Sequence, residues 1–75
     1  MTLQEYIAKI LNVDIEDVGE DAGMNETEKW DSLKQMNIML SLERDFDIRF
    51  EEEQIMDCNS LKSIDDLLRD KGVNL

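Results

Sequence analysis

Apolar residues recur along this chain with the spacing of helices. Near the start, Leu3, Tyr6, Ile7, Ile10 and Leu11 fall at i, i+3, i+4, i+7 and i+8, a single stripe on one helix face. Thr2 precedes the stripe and Glu5 follows three residues later, the signature of a capping box. The spacing predicts a first helix that ends near Asn12. Val13, Ile15 and Val18 then alternate with acids, and are expected to tether the following turn to the core. From Gly19 to Trp30 the chain is polar, which predicts a long loop. A loop of that length in a small domain is often functional.

A second helix is predicted from about Ser32 to about Phe46, with Asp31 as its cap. Leu33, Met36 and Leu40 form one row on it; Met39, Leu42 and Phe46 form the next. That apolar arc is wide enough for part of it to face a partner instead of the core. Asp47-Ile48-Arg49-Phe50 is a short connector anchored by its apolar residues, and Glu51 to Met56 has room for one or two helical turns. For the last helix, Ser63 with Asp66 three residues on predicts the start. Ile64, Leu67 and Leu68 are its stripe, and Lys71-Gly72 suits its end. The expected fold is all-α, one domain over residues 1–75 built as a small three-to-four-helix bundle.

Composition narrows the function. With 41% hydrophobic residues the chain can fold, but 75 residues allow only a thin core. There are 19 acids against 8 bases, a net charge of −11. Such a surface repels nucleic acid and anionic membranes and attracts basic protein surfaces. No apolar run approaches the roughly 20 residues of a membrane span, so no membrane insertion is expected. The N-terminus lacks the basic start of a signal peptide, and the lone Cys58 excludes an internal disulfide. A cytoplasmic monomer is the expectation.

Catalytic chemistry is hard to assemble from these residues. The chain has no histidine, so neither Ser32 nor Cys58 has an evident activating base, and no zinc set can be built. Asp14, Glu16 and Gly19 match three positions of a calcium loop. Val18 and Asn25 break the pattern, and no metal site is expected. Asp31-Ser32-Leu33 carries more information. It places a serine hydroxyl at a helix start, where free backbone N–H groups and the helix dipole favour an attached anion.

The segment Trp30-Asp31-Ser32-Leu33, the helix through Ser41-Leu42-Glu43-Arg44-Asp45-Phe46-Asp47-Ile48 and the tail Ser60-Leu61-Lys62-Ser63-Ile64-Asp65-Asp66-Leu67 resemble the acyl carrier protein family. Length and acidity match as well. The resemblance implies that Ser32 bears 4′-phosphopantetheine through a phosphodiester, flanked by Asp31 and Leu33. It implies a phosphopantetheinyl transferase that takes the group from coenzyme A. It further implies an acyl group held as a thioester, with no catalysis by the chain itself. The implied partners are acyl-activating, acyl-transferring or condensing enzymes with basic docking surfaces. Lys34, Met36, Asn37, Leu40 and Arg44 are the candidate partner-facing residues, although core packing is an equal alternative for Leu33, Met36 and Leu40. Some family members fold an acyl chain into the bundle, and Met36, Met39 and Met56 would give an adaptable lining; ordinary core filling is the simpler account.

Two departures stand out. Members from fatty-acid synthases often place acids on the exposed face of this helix, where this chain has Lys34, Asn37 and Arg44. Trp30 stands where those members tend to have a small residue. Fatty-acid biosynthesis and lipid metabolism remain within the family resemblance, but both departures weigh against a housekeeping role. They make a specialised free-standing carrier, in a secondary pathway or beside an amino-acid- or acyl-activating ligase, an equal alternative. The rival reading is an unmodified acidic helical interaction module, which explains charge and fold but not the placement of Asp-Ser-Leu.

Overall fold

A computed structural model describes residues 1–75. Four helices follow in order: α1 Leu3–Leu11, α2 Ser32–Phe46, α3 Glu52–Asp57 and α4 Leu61–Asp70. A single 3-10 turn at Ile15–Asp17 follows α1, and the only sheet-like feature is an isolated antiparallel bridge between Gly23 and Ser60. No helix is long and apolar enough to cross a membrane.

Local chemistry sets the helix ends. Thr2 and Glu5 form the predicted box: the Glu5 amide donates to Thr2 Oγ1 at 3.1 Å, and the Thr2 amide donates to Glu5 Oε1 at 2.8 Å. Asn12 closes α1 in the left-handed conformation (φ 59°), which asparagine tolerates better than most residues. Asp47 closes α2 in the same way (φ 53°). Helix α4 starts earlier than the sequence suggests. Its cap is Ser60, whose Oγ accepts from the Ser63 amide at 3.1 Å, while the Ser60 amide donates to Ser63 Oγ at 3.1 Å. Ser63 is therefore the far side of a capping box and not its start. Two serines three residues apart, with Asp66 three beyond, offer the same pattern twice.

The helices converge on fifteen buried apolar side chains. Helix α1 contributes Leu3, Tyr6, Ile7, Ala8 and Leu11; α2 contributes Ile38, Met39 and Leu42; α4 contributes Leu61, Ile64 and Leu68. Val18, Ala22, Trp30 and Phe50 enter from the connections. Two expectations need correction here. Ile15 is exposed, and Val18 alone of the alternating trio is fully buried, with Val13 packed at the edge. Trp30, read as part of a polar loop, is 1% exposed and is among the largest buried groups. A side chain that size contributes more apolar area than any other available to so short a chain.

At the far end of α2, the Tyr6 hydroxyl donates to Asp45 Oδ2 at 2.6 Å, and Arg44 pairs with Asp45 Oδ1 at 3.1 Å. The Tyr6 ring packs on Phe46 with centroids 6.1 Å apart. The tyrosine hydrogen bond, with Arg44 second, holds the Asp45 carboxyl below its ordinary range. Burial, with Asp45 second, pushes the Tyr6 hydroxyl up.

A depressed carboxyl pKa contributes stability above the unfolded value of about 3.9, and that stability is lost as pH falls through the folded value. Removing the largest cause with Tyr6→Phe should therefore destabilise the chain at pH 6. The gap from the parent should narrow below about pH 4. Urea unfolding midpoints across that range check this; a constant gap would show that Asp45 ionisation adds nothing. The net charge of −11 on a body of 26 × 24 × 19 Å, with only two ion pairs, gives a second expectation. Added salt shortens the reach of repulsion to about 8 Å at physiological strength. The melting temperature should rise from low to moderate salt, and a flat response would exclude self-repulsion as a significant destabilising effect.

Candidate functional site

Ser32 is the first residue of α2 and is exposed. Asp31 before it is the cap: its Oδ1 accepts from the Lys34 amide at 2.9 Å, and its carbonyl accepts from the Gln35 amide at 2.8 Å. This pairs the amide of the third residue and leaves those of Ser32 and Leu33 at the positive end of the helix without intrahelical partners. Asp31 also opposes the helix dipole, so the serine is presented on a well-anchored turn.

At about 100° per residue, α2 separates into two faces. Gln35, Ile38, Met39 and Leu42 point inward and are all fully buried. Leu33, Met36, Asn37, Leu40 and Arg44 share the opposite, outward face. Leu33 is 67% exposed, Met36 43% and Leu40 46%, which removes core packing as their role. The same numbers dispose of a methionine-lined interior: Met39 is in the core, Met56 is half-buried and Met36 is outside. Lys34 lies half-buried on the flank. Arg44 lies twelve residues beyond Ser32, about 18 Å along the axis, with its guanidinium drawn to Asp45.

Sequence reasoning missed Gln35. It occupies the first position of the true inward stripe, where an apolar residue is expected, and it is 0% exposed. Its Oε1 accepts from Trp30 Nε1 at 2.8 Å, and its Nε2 donates to the carbonyls of Ile55 at 2.8 Å and Cys58 at 2.7 Å. The i, i+3, i+4, i+7 run of Gln35, Ile38, Met39 and Leu42 was the available signal.

The loop before Ser32 is tightly bonded. The Asn25 amide donates to the Trp30 carbonyl at 2.8 Å, and the Trp30 amide donates to the Thr27 carbonyl at 3.1 Å. Asn25 and Lys29 take positive φ values of 68° and 67°. For a lysine that conformation is uncommon, and it turns the chain so that Trp30 enters the core while Asp31 and Ser32 face out.

The arrangement offers an accessible hydroxyl beside an apolar outward row. It offers little for catalysis. Burial, with Asp57 second, pushes the Cys58 thiol up, away from its reactive thiolate. No three His, Cys, Asp or Glu side chains converge as a metal site would require. An exposed serine on a capped helix start, with no bulky group over it, fits a covalently attached phosphodiester.

Comparison with known proteins agrees with this geometry. Residues 2–68 match the family described as "Phosphopantetheine attachment site". The chain is 32% identical over 69 residues to polyketide-8 synthase acyl carrier protein 2 of Streptomyces avermitilis, covering 92% of this chain and 79% of that protein. It is 41% identical over 49 residues to an acyl carrier protein homolog of Mycoplasma pneumoniae, covering 60% of this chain and 58% of that one. Nearly the whole chain is thus matched by a group defined by one prosthetic arm, 4′-phosphopantetheine, and the four-helix bundle belongs with it: this chain is a member of the acyl carrier protein family.

Proposed function

We propose that residues 1–75 act as one carrier domain, with Ser32 as the attachment point of the arm. The observation that carries this reading is the exposed hydroxyl of Ser32 in the first turn of α2, anchored by the Asp31 cap. When bound, the arm supplies the thiol that holds an acyl group as a thioester. The chain's own residues present it. Asp31 fixes the turn, and Leu33 stands exposed beside the serine as the first of the apolar row. Attachment by a phosphopantetheinyl transferase would form a bond from Ser32 Oγ to phosphorus and release adenosine 3′,5′-bisphosphate from coenzyme A. The serine proton goes to a base on the transferase, since this chain has no histidine. A thiol on the arm also explains why Cys58 can remain an unreactive packing residue.

Leu33, Met36 and Leu40 are the surface against which partner enzymes dock, with Asn37 between them. Charge then selects among partners. From Asp31 to Phe46, three acids against two bases leave only −1 of the total −11. Whole-molecule charge draws basic enzymes near, while Lys34 and Arg44 reject those that present cations against α2. Similarity to a polyketide-synthase carrier supports a specialised pathway over housekeeping fatty-acid synthesis. In this reading the carrier works in the cytoplasm as a monomer, beside acyl-activating, acyl-transferring or condensing enzymes.

Incubation with coenzyme A, a divalent metal and an active phosphopantetheinyl transferase should raise the intact mass by one phosphopantetheinyl group. Ser32→Ala should stay unmodified and keep its stability within about 0.5 kcal/mol, because alanine suits a first helical position. Modification of that variant would overturn Ser32 as the attachment point, and none of the parent would return the chain to the unmodified interaction module. A second measurement addresses selection. Lys34→Glu combined with Arg44→Gln should raise kcat/KM with enzymes that serve fatty-acid-synthase carriers by roughly tenfold. Glutamine at 44 avoids a new acid beside Asp45. Equal turnover of parent and variant would reduce both cations to solvated charges.

A further inference from the structure

The proposed attachment serine is held from behind by one amide. Gln35 lies three residues after Ser32 on the inward face of α2, and its side chain is entirely buried. Trp30 Nε1 can only donate, so it must face Gln35 Oε1; the carbonyls of Ile55 and Cys58 can only accept, so they must face Nε2. The orientation of the amide is therefore fixed by its neighbours. Three segments meet there: the loop that ends at Asp31, the first turn of α2 and the end of α3. No buried side-chain polar atom in the chain lacks a partner.

Each partner is weak alone. Helix α3 has six residues, too few to be stable by itself, and the Ile55 and Cys58 carbonyls lie at its C-terminal end, where carbonyls lack helical donors. The loop before Ser32 carries two residues at positive φ. A backbone latch lies on the other side of the same loop. The Met24 amide donates to the Asn59 carbonyl and the Leu61 amide to the Ala22 carbonyl, both at 2.9 Å. At Gly23 a Cβ would approach the Asn59 carbonyl oxygen at 3.2 Å, so the two strands of chain run close.

We infer that Gln35 is a positioning residue for Ser32: its amide locks Trp30 and the end of α3 in one arrangement with the first turn of α2, and that arrangement is what the phosphopantetheinyl transferase recognises. This rests on Ser32 being the attachment site. Removing the amide leaves the Trp30 N–H and two carbonyls without their buried partner, which favours local opening. The docking-competent arrangement then becomes a fraction of the population, and apparent affinity falls by that fraction. Turnover from the docked complex is unchanged. The expected signature is a KM effect and not a kcat effect.

Steady-state transfer from coenzyme A is measured on the 75-residue chain, at a temperature where circular dichroism shows each variant folded. Gln35→Leu should raise KM for the carrier roughly tenfold with kcat within about twofold. Trp30→Phe, which removes the indole bond together with part of the buried ring, should raise KM about threefold. In the double variant the two KM effects should combine to less than their product, since they share the Trp30–Gln35 bond. Emission from Trp30, the single tryptophan, should shift red in Gln35→Leu. On the parent, NMR should show both Gln35 side-chain amide protons exchanging slowly; this and Trp30→Phe decide the matter if Gln35→Leu does not fold. Unchanged KM in folded variants, a change in kcat alone, or rapid exchange of those protons would overturn the positioning role. A parent that takes up no arm would remove the carrier reading and this role with it, whereas rapid exchange in a modifiable parent removes the clamp alone.

Discussion

Closure of one small core is the constraint on which the rest of this structure depends. Only 17 of 75 residues are buried, and fifteen of them form the apolar cluster. With so few, no large side chain is spare. Helix α1 packs against both α2 and α4, and Ile7, Leu11, Ile38, Leu42, Ile64 and Leu68 all lie fully buried in the shared cluster. The connections must then supply what the helices lack. Trp30 and Phe50 do so, and each is pinned by polar contacts at the core edge: Trp30 by Gln35, and Phe50 by the Glu43 carboxylate on its amide and by Lys71 above its ring. Interiors this small tolerate little error, because a lost methylene is felt throughout a close-packed cluster.

Much of this was legible because helix ends are written locally. Thr2 with Glu5, Asp31 before Ser32, and Asn12 at the end of α1 act within a few residues, so the chain alone fixes them. The exposure of Ser32 at a capped helix start was legible for the same reason, and the proposed attachment rests on it. What failed needed information from distant parts of the chain. Which arc of α2 faces inward depends on where α1, α3 and α4 lie, and a glutamine in the inward stripe disguised the period. Trp30 looked like loop because its neighbours are polar; only the carbonyls of α3, about 25 residues away, make a buried amide and indole compatible. The start of α4 was missed because Ser60 and Ser63 carry the same local signal, and the choice was made by the Ser60 contact with Gly23.

Charge and fold divide the work of recognition. The molecule is acidic nearly everywhere, yet its outward α2 face is apolar and almost neutral. In the proposed reading, long-range attraction is spread over the whole body, while close fit is concentrated beside one serine. Apolar residues exposed in a row would invite self-association in a neutral protein. Here the surrounding negative charge opposes it, so the acids that give the chain its net −11 also keep the exposed α2 row from pairing with another copy.

The latch between Ala22–Met24 and Asn59–Leu61 also bears on the order of events during synthesis. Its two sides are separated by more than thirty residues, and joining them closes a loop that contains all of α2 and α3. The capping contacts of α1 and α2 lie within a few residues and need nothing from later in the chain. The segment leading into Ser32 cannot take its final geometry until residues 59–61 have been synthesised and folded back. A chain broken or misfolded in its last quarter would present the serine on an unsupported turn. The fold thus makes the state of residues 59–61 legible at residue 32, so that any enzyme reading that turn also senses whether the chain has folded back onto it.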